Sequence, residues 1–362
     1  MPSPAPTPLP PLLLQPTLLP KVWGGRRLAQ LDKPLPADPA TLIGESWELA
    51  DLASTSAGGA GGQAVRSIIA DGPELLKGRT LHDALVLHAE AIMGLSPSSS
   101  ADAHAFPLLF KFLDAAQPLS VQVHPSPGHA ARTKDAHLKT ESWYIVAAEP
   151  GAKLHIGFRP GVARTAFALA ARNGDPALVH MLREVPAVPG ECHTLPSGTV
   201  HALGAGVLVA EVQTASDTTY RLYDWGRAGR EMHIAEALRC CRFEDDPTEA
   251  RIGPDGPPTR AALGPADTRG RIAATDHYTL EELRPKPGQP LPLIDPADAA
   301  APTRPIVLMV LTGHGTLTHA AAAFPDRPIS TGQTLLIPAS AAQATAIRAD
   351  SAGLRLLSTL VR

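Results

Sequence analysis

Short runs in which apolar and polar residues alternate, separated by turn residues, dominate the chain. Such alternation is typical of half-buried strands, because successive side chains of a strand point to opposite faces of its sheet. In the first part of the chain the runs are ESWELAD, AVRSIIADG, LSVQVHP, SWYIVAA, AKLHIGF, GVLVAEVQ and TTYRLYDW. Near the end of the chain, IVLMVLTGHGTLT and ISTGQTLLIPASAAQATAI have the same character. The pattern predicts a mainly β protein of the sandwich or barrel type.

Two segments have the spacing of apolar residues that helices require. TLHDALVLHAEAIMG, residues 80–94, begins with a threonine that is suited to cap a helix. ARTAFALAARNGDPALVHMLREV, residues 163–185, is interrupted by NGDP and therefore predicts two short helices. Both segments lie between predicted strands, so we expect them to be small helical insertions in a β framework.

The domain organisation follows from chain length and from one change in composition. A chain of 362 residues is longer than one typical domain. The stretch FEDDPTEARIGPDGPPTRAALGPADTR is polar and rich in proline and glycine, as linkers often are. We predict a first domain over residues 1–245 with both helical insertions, a linker over 246–269, and a C-terminal domain over 270–362.

Composition narrows the class of function. The formal net charge is −3, with 19% charged and 44% hydrophobic residues, which is ordinary for a soluble globular protein. No basic excess indicates nucleic acid as a partner, and the apolar runs are too short to span a bilayer. The proline-broken opening segment lacks the basic residues of a signal peptide. The three cysteines cannot form a disulfide framework, so we expect a cytoplasmic protein without a membrane partner.

Candidate metal ligands occur in LSVQVHPSPGHAARTKDAHLKTESWYIV, residues 119–146. Gln122 and His124 are two apart on a predicted strand and share a face, and Glu141 begins the next apolar run. Further along, the turn in LPSGTVHALGAG delivers His201 to the start of a strand. Two imidazoles, a carboxylate and an amide oxygen are suitable ligands for Zn²⁺. The alternative is chance polarity on half-buried strands, with each histidine hydrogen-bonded in the structure.

Several motifs together resemble one family. They are PLLFKFLD and PLSVQVHP (within 107–125), KTESWY (139–144), PSGTVHALG (196–204) and SDTTYRLYDW (216–225), supported by KVWGG (21–25) and GESWELAD (44–51). In this order they resemble the type I mannose-6-phosphate isomerases of the cupin superfamily, most closely the shorter bacterial form. The resemblance extends from about residue 10 to residue 240. It implies two cupin, or jelly-roll, β-sandwich domains.

The resemblance also implies roles for individual residues. The zinc ligands of the family fall on Gln122, His124, Glu141 and His201, which would hold one Zn²⁺ per chain. The catalytic cations fall on Arg221 and Lys139, and substrate-binding positions fall on Lys111, Ser120 and Glu211. The implied reaction interconverts mannose 6-phosphate and fructose 6-phosphate through an enediol, so a small phosphosugar is the expected partner. The expected assembly is a monomer or a weak dimer.

Other interpretations remain open at this point. A site of two histidines and one carboxylate also suits Fe(II), so a cupin oxygenase is one alternative. A sugar-binding or regulatory cupin without catalysis is another. The general base of an isomerase could be Glu211, His201 or a metal-bound water. Arg221 could instead form a structural salt bridge with Asp217 or Asp224, and Lys139 could be a solvated loop charge. Trp23 and Trp47 are predicted to be core residues.

The C-terminal domain is predicted to hold no metal. Its turn IPASAAQ resembles LPSGTVH, but Gln343 stands in the place of His201 and Ser340 in the place of Gly198. His314 and His319 are an odd number of residues apart, which puts them on opposite faces of a continuous strand.

Overall fold

The computed structural model describes residues 7–56, 60–94, 105–133, 136–243, 258–298 and 303–362. Residues 246–257, half of the predicted linker, lie outside the described residues. The chain is mainly β, as predicted. No helix in the described ranges is long and apolar enough to cross a membrane.

Fifteen strands lie in the described part of the first 225 residues. They are β1 (Leu12–Gln15), β2 (Thr17–Gly25), β3 (Ile43–Leu49), β4 (Asp51–Leu52), β5 (Val65–Arg66), β6 (Ile68–Asp71), β7 (Leu108–Ala115), β8 (Val121–Val123), β9 (Glu141–Ala148), β10 (Lys153–Phe158), β11 (Leu182–Pro186), β12 (Glu191–Leu195), β13 (His201–Leu203), β14 (Val207–Thr214) and β15 (Tyr220–Tyr223). Ten more follow residue 258. They are β16 (Thr259–Ala262), β17 (Arg269–Ala274), β18 (Tyr278–Leu283), β19 (Leu291–Pro292), β20 (Ile306–Thr312), β21 (His314–His319), β22 (Arg327–Ser330), β23 (Thr334–Ile337), β24 (Thr345–Ala349) and β25 (Arg355–Val361).

Helices are few and short in the described residues. The α-helices are α1 (Leu81–Met93), α2 (Pro127–Ala130), α3 (Arg164–Asn173), α4 (Ile234–Cys240) and α5 (Ala339–Ala342). Single turns of 3₁₀ helix cover Arg27–Leu31, Pro176–Met181 and Pro296–Asp298.

The strands build two sandwiches with the same strand order. In the first, a sheet of order β16-β12-β9-β14-β7-β3-β2 faces a sheet of order β11-β10-β13-β8-β15. In the second, a sheet of order β17-β18-β25-β20-β23-β1-β6 faces a sheet of order β19-β24-β21-β22. The series β12-β9-β14-β7 corresponds to β23-β20-β25-β18, and β11-β10-β13-β8 corresponds to β22-β21-β24-β19. This is the predicted pair of jelly rolls.

The larger sheets of the two sandwiches pack against each other. Phe110 and Phe112 of the first sandwich lie in one buried cluster with Met309 and Leu357 of the second. Two strands near the N-terminus also cross over, because β1 pairs with β23 and with β6 at the edge of the second sandwich. Conversely, β16 lies within the predicted linker yet pairs with β12 of the first. The division at residues 245 and 270 therefore remains a prediction, and these exchanged strands join the two halves.

Both predicted helical segments contain helices. The Thr80 hydroxyl accepts a hydrogen bond from the backbone N–H of Asp83, and the Asp83 carboxylate accepts one from the backbone of Thr80, which starts α1. In the second segment, α3 ends at the left-handed Gly174, and the Asp175 carboxylate caps the following 3₁₀ turn. The prediction of helix as far as residue 185 is wrong, because Leu182–Pro186 form β11 and pair with β10.

A buried polar group joins the two sandwiches. The carboxylate of Glu48 on β3 accepts hydrogen bonds from Lys33 at 2.6 Å, from Ser46 at 2.6 Å and from Thr334 of the second sandwich at 2.9 Å. The Lys33 ammonium also donates to the carbonyl of Gly332. Gly332 is left-handed, and a Cβ there would clash with the carbonyl oxygen of Leu31, so only glycine suits this approach.

We predict that Lys33→Met destabilises the protein by about 3–5 kcal/mol, because it leaves the Glu48 carboxylate buried without a cation. Urea denaturation would measure the change in the free energy of unfolding. Adding Glu48→Gln to this variant should recover part of the loss, since the neutral amide removes the unpaired charge. Lys77→Met is the control: its ion pair with Asp71 is exposed, so the change should stay below about 1 kcal/mol. Native-like stability of Lys33→Met would contradict this role.

Candidate metal centre and active site

Strand register places the candidate residues in facing rows. On the smaller sheet of the first sandwich, Gln122 of β8 pairs with His201 of β13 on one side and with Arg221 of β15 on the other. Directly paired residues point to the same face of a sheet, so these three side chains form one row that faces the sandwich interior. His124 follows two residues after Gln122 and extends the same face.

The larger sheet supplies the opposite wall. Glu211 of β14 pairs with Lys111 of β7 and with Trp143 of β9, and the next inward row contains Glu141, opposite Gln213. All five side chains are buried. On the outward face of the same strands, Phe110, Phe112, Tyr144 and Val212 belong to the apolar cluster at the back-to-back interface of the sandwiches. The alternation along β7, β9 and β14 therefore separates a polar site from the apolar core behind it.

His124, Glu141 and His201 form a cluster with the geometry of a metal site. His124 Nε2 lies 3.2 Å from Glu141 Oε2, and His201 Nε2 lies 3.2 Å from Glu141 Oε1. One ligand atom from each residue fits within 4.8 Å of the others. Apart from ion pairs, neither carboxylate oxygen of Glu141 has a hydrogen-bond partner among the described residues. Two imidazole nitrogens and a buried carboxylate are a donor set that suits Zn²⁺.

Backbone contacts fix the orientation of both imidazoles. His124 Nδ1 lies 2.9 Å from the carbonyl oxygen of Thr218, and His201 Nδ1 lies 2.8 Å from that of Thr199. A carbonyl only accepts, so Nδ1 carries the proton and Nε2 presents its lone pair to the cluster. Burial, together with the nearby Lys139, lowers the pKa of His124 to about 4, and burial lowers the pKa of His201. Both rings are therefore neutral at neutral pH, the form that binds metals.

Gln122 adjoins this cluster through its amide. Its Nε2 lies 3.2 Å from His201 Nε2, and its Oε1 accepts a hydrogen bond from the Ser120 hydroxyl at 3.1 Å. A half-turn of the amide exchanges oxygen and nitrogen, and it would bring Oε1 to the side of His201 Nε2. Ser120 could then accept from the amide nitrogen. The position is compatible with the fourth predicted ligand, whose role remains a prediction.

Lys139 supplies the positive charge next to the cluster. Its ammonium lies 2.7 Å from Glu141 Oε2, 3.1 Å from His124 Nε2 and 3.9 Å from Glu211 Oε1. Burial alone would lower the pKa of Lys139, but the Glu141 and Glu211 carboxylates outweigh it and raise the pKa. Burial would raise the pKa of Glu141, yet Lys139 and the two imidazoles hold it well below its usual range. Lys139 is therefore a buried, paired cation and not a solvated loop charge.

Alternating charges continue from Lys139 across the larger sheet. Lys111 lies 3.3 Å from Glu211 and 3.9 Å from Glu45, which in turn lies 3.4 Å from Lys21. The Trp143 ring N–H donates to Glu211 at 3.0 Å, and the Trp47 ring faces the Lys111 ammonium at 4.9 Å. These contacts hold each charged group in one position.

Sequence reasoning missed Lys21 and Glu45 as members of the site. Trp23 and Trp47 are buried, as predicted for core residues, but both also line the cleft. The signal for Glu45 was present in GESWELAD, where Glu45 and Trp47 share one face of a strand. What could not be read from the sequence is that β3 lies beside β7, because that pairing joins distant segments.

Arg221 is buried and forms no ion pair with an acidic side chain of the described residues. Its Nε donates to the Ser120 hydroxyl at 3.2 Å and its Nη1 to the carbonyl of Glu231 at 2.7 Å. Asp224 pairs with Arg227 and Arg230 instead, and Asp217 accepts from Ser56. The salt-bridge interpretation of Arg221 is therefore wrong.

A cleft of about 920 Å³ opens above the cluster. Six of the nine predicted site residues line it, namely Lys111, Ser120, Gln122, Lys139, Glu211 and Arg221. The other three, His124, Glu141 and His201, form the adjoining cluster. The structure thus brings all nine together, while their individual roles remain predictions.

In the second sandwich, His314 and His319 lie on β21 and do not form such a cluster. His314 is exposed, and the His319 ring packs edge-on against Phe324 at 5.0 Å between ring centres. Within the described ranges, His124, Glu141 and His201 are the only group of at least three metal-binding side chains. The metal-free state of the C-terminal domain remains a prediction.

Comparison with known proteins identifies the family. The family model for the catalytic domain of type I phosphomannose isomerase matches residues 12–151. The chain is 35% identical over 234 residues to mannose-6-phosphate isomerase ManA of Bacillus subtilis, and the match covers 63% of this chain and 67% of ManA. It is 35% identical over 235 residues to the mannose-6-phosphate isomerase of Streptococcus mutans, covering 63% of this chain and 66% of that protein.

A solved structure extends the similarity to the second sandwich. The crystal structure of the mannose 6-phosphate isomerase from Bacillus subtilis superposes with a TM-score of 0.75 at 25% sequence identity. The superposition covers 97% of this chain and 99% of that one. The curated sequence matches thus cover 63% of this chain, whereas the shared fold covers 97% of it. The chain therefore belongs to the type I phosphomannose isomerase family.

Proposed function

We propose that this protein is a zinc-dependent mannose-6-phosphate isomerase that interconverts mannose 6-phosphate and fructose 6-phosphate through an enediol. The observation that carries the proposal is the buried cluster of His124, Glu141 and His201 beside a cleft lined by cations, in a member of this family. A phosphosugar needs both features, since its phosphate is a dianion and its reacting oxygens gain negative charge. The cleft volume is also within the range of small-molecule sites.

His124, Glu141 and His201 would hold the metal, with Gln122 as the fourth ligand after rotation of its amide. When bound, Zn²⁺ supplies Lewis acidity toward the sugar oxygens without redox chemistry. The donor set also suits Fe(II), but the family membership favours the isomerase over an oxygenase. The intact set of cleft cations favours an enzyme over a cupin that only binds sugar.

The cations of the cleft act on the substrate. The Lys139 ammonium lies beside the cluster, between Glu141 and Glu211, where it would stabilise negative charge on an enediolate oxygen. The Arg221 guanidinium is charged at all working pH values, and the bonds to Ser120 and Glu231 fix its plane. It would offer its remaining N–H donors to the phosphate or to the enediolate.

The contacts of His201 bear on the identity of the general base. Its Nδ1 is bonded to the Thr199 carbonyl and its Nε2 faces Glu141, so neither nitrogen is available to a substrate proton. Glu211 and a metal-bound water remain as the candidates. Glu211 accepts a hydrogen bond from the Trp143 ring N–H and lies beside Lys111 and Lys139.

We predict that His124→Ala and His201→Ala lose zinc and isomerase turnover while the protein remains folded. Each substitution removes one of three close ligand atoms, and the site cannot replace it from the buried neighbours. Metal analysis of purified protein should give about one zinc per chain before substitution. A coupled fructose-6-phosphate assay would report turnover, and circular dichroism would report folding.

His314→Ala is the matched control, because it makes the same replacement at an exposed position of the second sandwich. It should retain both zinc and activity. Full activity of His124→Ala or His201→Ala at normal zinc content would refute the proposed metal centre. Loss of zinc in His314→Ala would place a metal in the C-terminal domain, against our expectation.

We predict that Arg221→Ala keeps its zinc and its fold but loses about 10²–10³ in kcat/KM, by analogy with the loss of one donor from an oxyanion site. Arg221→Lys should recover little of this, since a compact ammonium cannot reproduce the planar fork that reaches Ser120 and Glu231 together. Steady-state kinetics with parallel zinc analysis would test both. An Arg221→Ala enzyme with near-native kcat/KM would leave Arg221 a structural role only.

A further inference from the structure

The second sandwich contains its own cavity, of about 400 Å³. It corresponds in position to the active-site cleft of the first. In the first sandwich, Lys111, Glu211 and Trp143 form one inward row across β7, β14 and β9. In the second, the equivalent strands β18, β25 and β20 align Glu281, Ser358 and Leu308 in one row. Glu281 and Ser358 line the cavity, so the second jelly roll has retained an internal pocket at the same place.

The chemistry of this pocket differs from that of the first. The next row of the first sandwich contains the carboxylate of Glu141, whereas the equivalent row of the second contains Ile306 opposite Leu360. Where Gln122 pairs with His201, the backbone of Leu293 bonds to that of Thr345. Apolar and hydroxyl groups thus replace the carboxylate, amide and imidazole groups of the metal centre.

Two arginines stand opposite each other at one end of the pocket. Ile306 pairs with Leu360, and the Val361 N–H donates to the carbonyl of Pro305 at 3.1 Å, so the ladder continues one residue beyond the start of β20. Continuing this register by one residue beyond each strand sets Arg304 opposite the exposed Arg362, and both line the cavity. Like charges directly opposite on paired strands are destabilising when nothing lies between them.

No carboxylate of the pocket neutralises these two arginines. Asp298 lies 3.2 Å from Arg271, while Glu281 and Asp295 lie 3.4 and 3.9 Å from Arg269. Arg304 has neither an ion pair nor a hydrogen bond within the described residues. Arg362 is held by Thr279 at 3.1 Å and by the Thr275 carbonyl at 2.8 Å, bonds made by its Nε and Nη1. The planar guanidinium groups of Arg304 and Arg362 each carry several N–H donors. Two such groups facing each other match the geometry of a phosphate group.

The rest of the pocket suits a polyol. Ser358 is buried, lines the cavity and forms no side-chain hydrogen bond with any described residue. One row closer to the arginines lies Thr279, and Glu281 provides a carboxylate acceptor beside Ser358. Leu293, Ile306 and Leu360 supply apolar surface against which a carbon skeleton can pack. Deep hydroxyl and carboxylate groups, with cations at one end, therefore match an elongated ligand with an anionic terminus.

We propose that the cavity of the second sandwich binds a small phosphorylated polyol, with its phosphate between Arg304 and Arg362 and its hydroxyl groups toward Ser358 and Glu281. No metal and no bond-breaking step are involved, so this ligand binds without reacting. Binding at this cavity is independent of turnover at the first and is measured without it.

Calorimetric titration with sorbitol 6-phosphate tests the proposal, because this probe has no carbonyl group and cannot be isomerised. The zinc-loaded full chain should bind the probe at the second cavity in addition to any binding at the first. Arg304→Gln and Arg362→Gln should each weaken that second component by about tenfold or more, as expected for loss of a charge-assisted contact. Arg348→Gln is the matched control, since Arg348 is exposed and lies outside the cavity in the same sandwich.

Thermal unfolding separates a binding role from a structural one. In phosphate-free buffer, Arg304→Gln should unfold at the same temperature as the unaltered protein or at a higher one, because it removes repulsion with Arg362. The rise in unfolding temperature on adding sorbitol 6-phosphate should shrink in this variant and persist in Arg348→Gln.

Three results would overturn the proposal. One is an unchanged titration curve in both Arg304→Gln and Arg362→Gln. Another is inorganic phosphate binding as tightly as sorbitol 6-phosphate, which would mean that the polyol makes no contact. A third is a lower unfolding temperature for Arg304→Gln without phosphate, together with an unchanged response to the probe, which would assign Arg304 to the fold.

Discussion

The buried carboxylate of Glu141 is the constraint on which the site depends. Its side chain is 0% exposed, and an isolated carboxylate in such a place would be far more stable protonated. Lys139 and two imidazoles surround it and hold its pKa well below the usual range. The backbone oxygens of Thr199 and Thr218 then fix both imidazoles, so a single buried charge determines how three separate strands and two turns must be arranged.

The pairing of opposite charges that begins at Glu141 continues across the larger sheet. Lys139 faces Glu211 as well as Glu141, Lys111 faces Glu211 and Glu45, and Lys21 faces Glu45. Lys139 and Lys111 are each held by carboxylates on two sides, which limits their freedom before any ligand arrives. The charged side chains of such a cleft need to move little when a dianion binds. This preorganisation is the main source of electrostatic stabilisation in enzymes.

How much the sequence predicts depends on whether the information is local. Strand alternation predicted that Gln122 and His124 share a face, and the family resemblance implied that Glu141, His201 and Arg221 join them. The structure brings these residues together. Periodicity likewise located α1 and the break at Gly174. It failed at Leu182–Pro186, where edge pairing with β10 outweighs the helical spacing. Pairings between distant segments, such as β1 with β23 and β3 with β7, could not be predicted from the sequence. For that reason the position of Glu45 in the site could not be predicted either.

The two jelly rolls show how few positions determine the chemistry of a shared scaffold. Both have the same strand order, and each encloses a polar pocket between its sheets. In the first, a carboxylate at the start of β9 requires cations and imidazoles around it. In the second, Ile306 occupies the equivalent position and removes that requirement, and the carboxylates nearby are already paired with Arg269 and Arg271. Arg304 stands where Lys139 stands in the first pocket, two residues before the strand, but no carboxylate among the described residues pairs with it. The same position thus carries a cation in both halves of the molecule. In the first half this cation pairs with the buried carboxylate of Glu141, and in the second it is available to an anionic ligand.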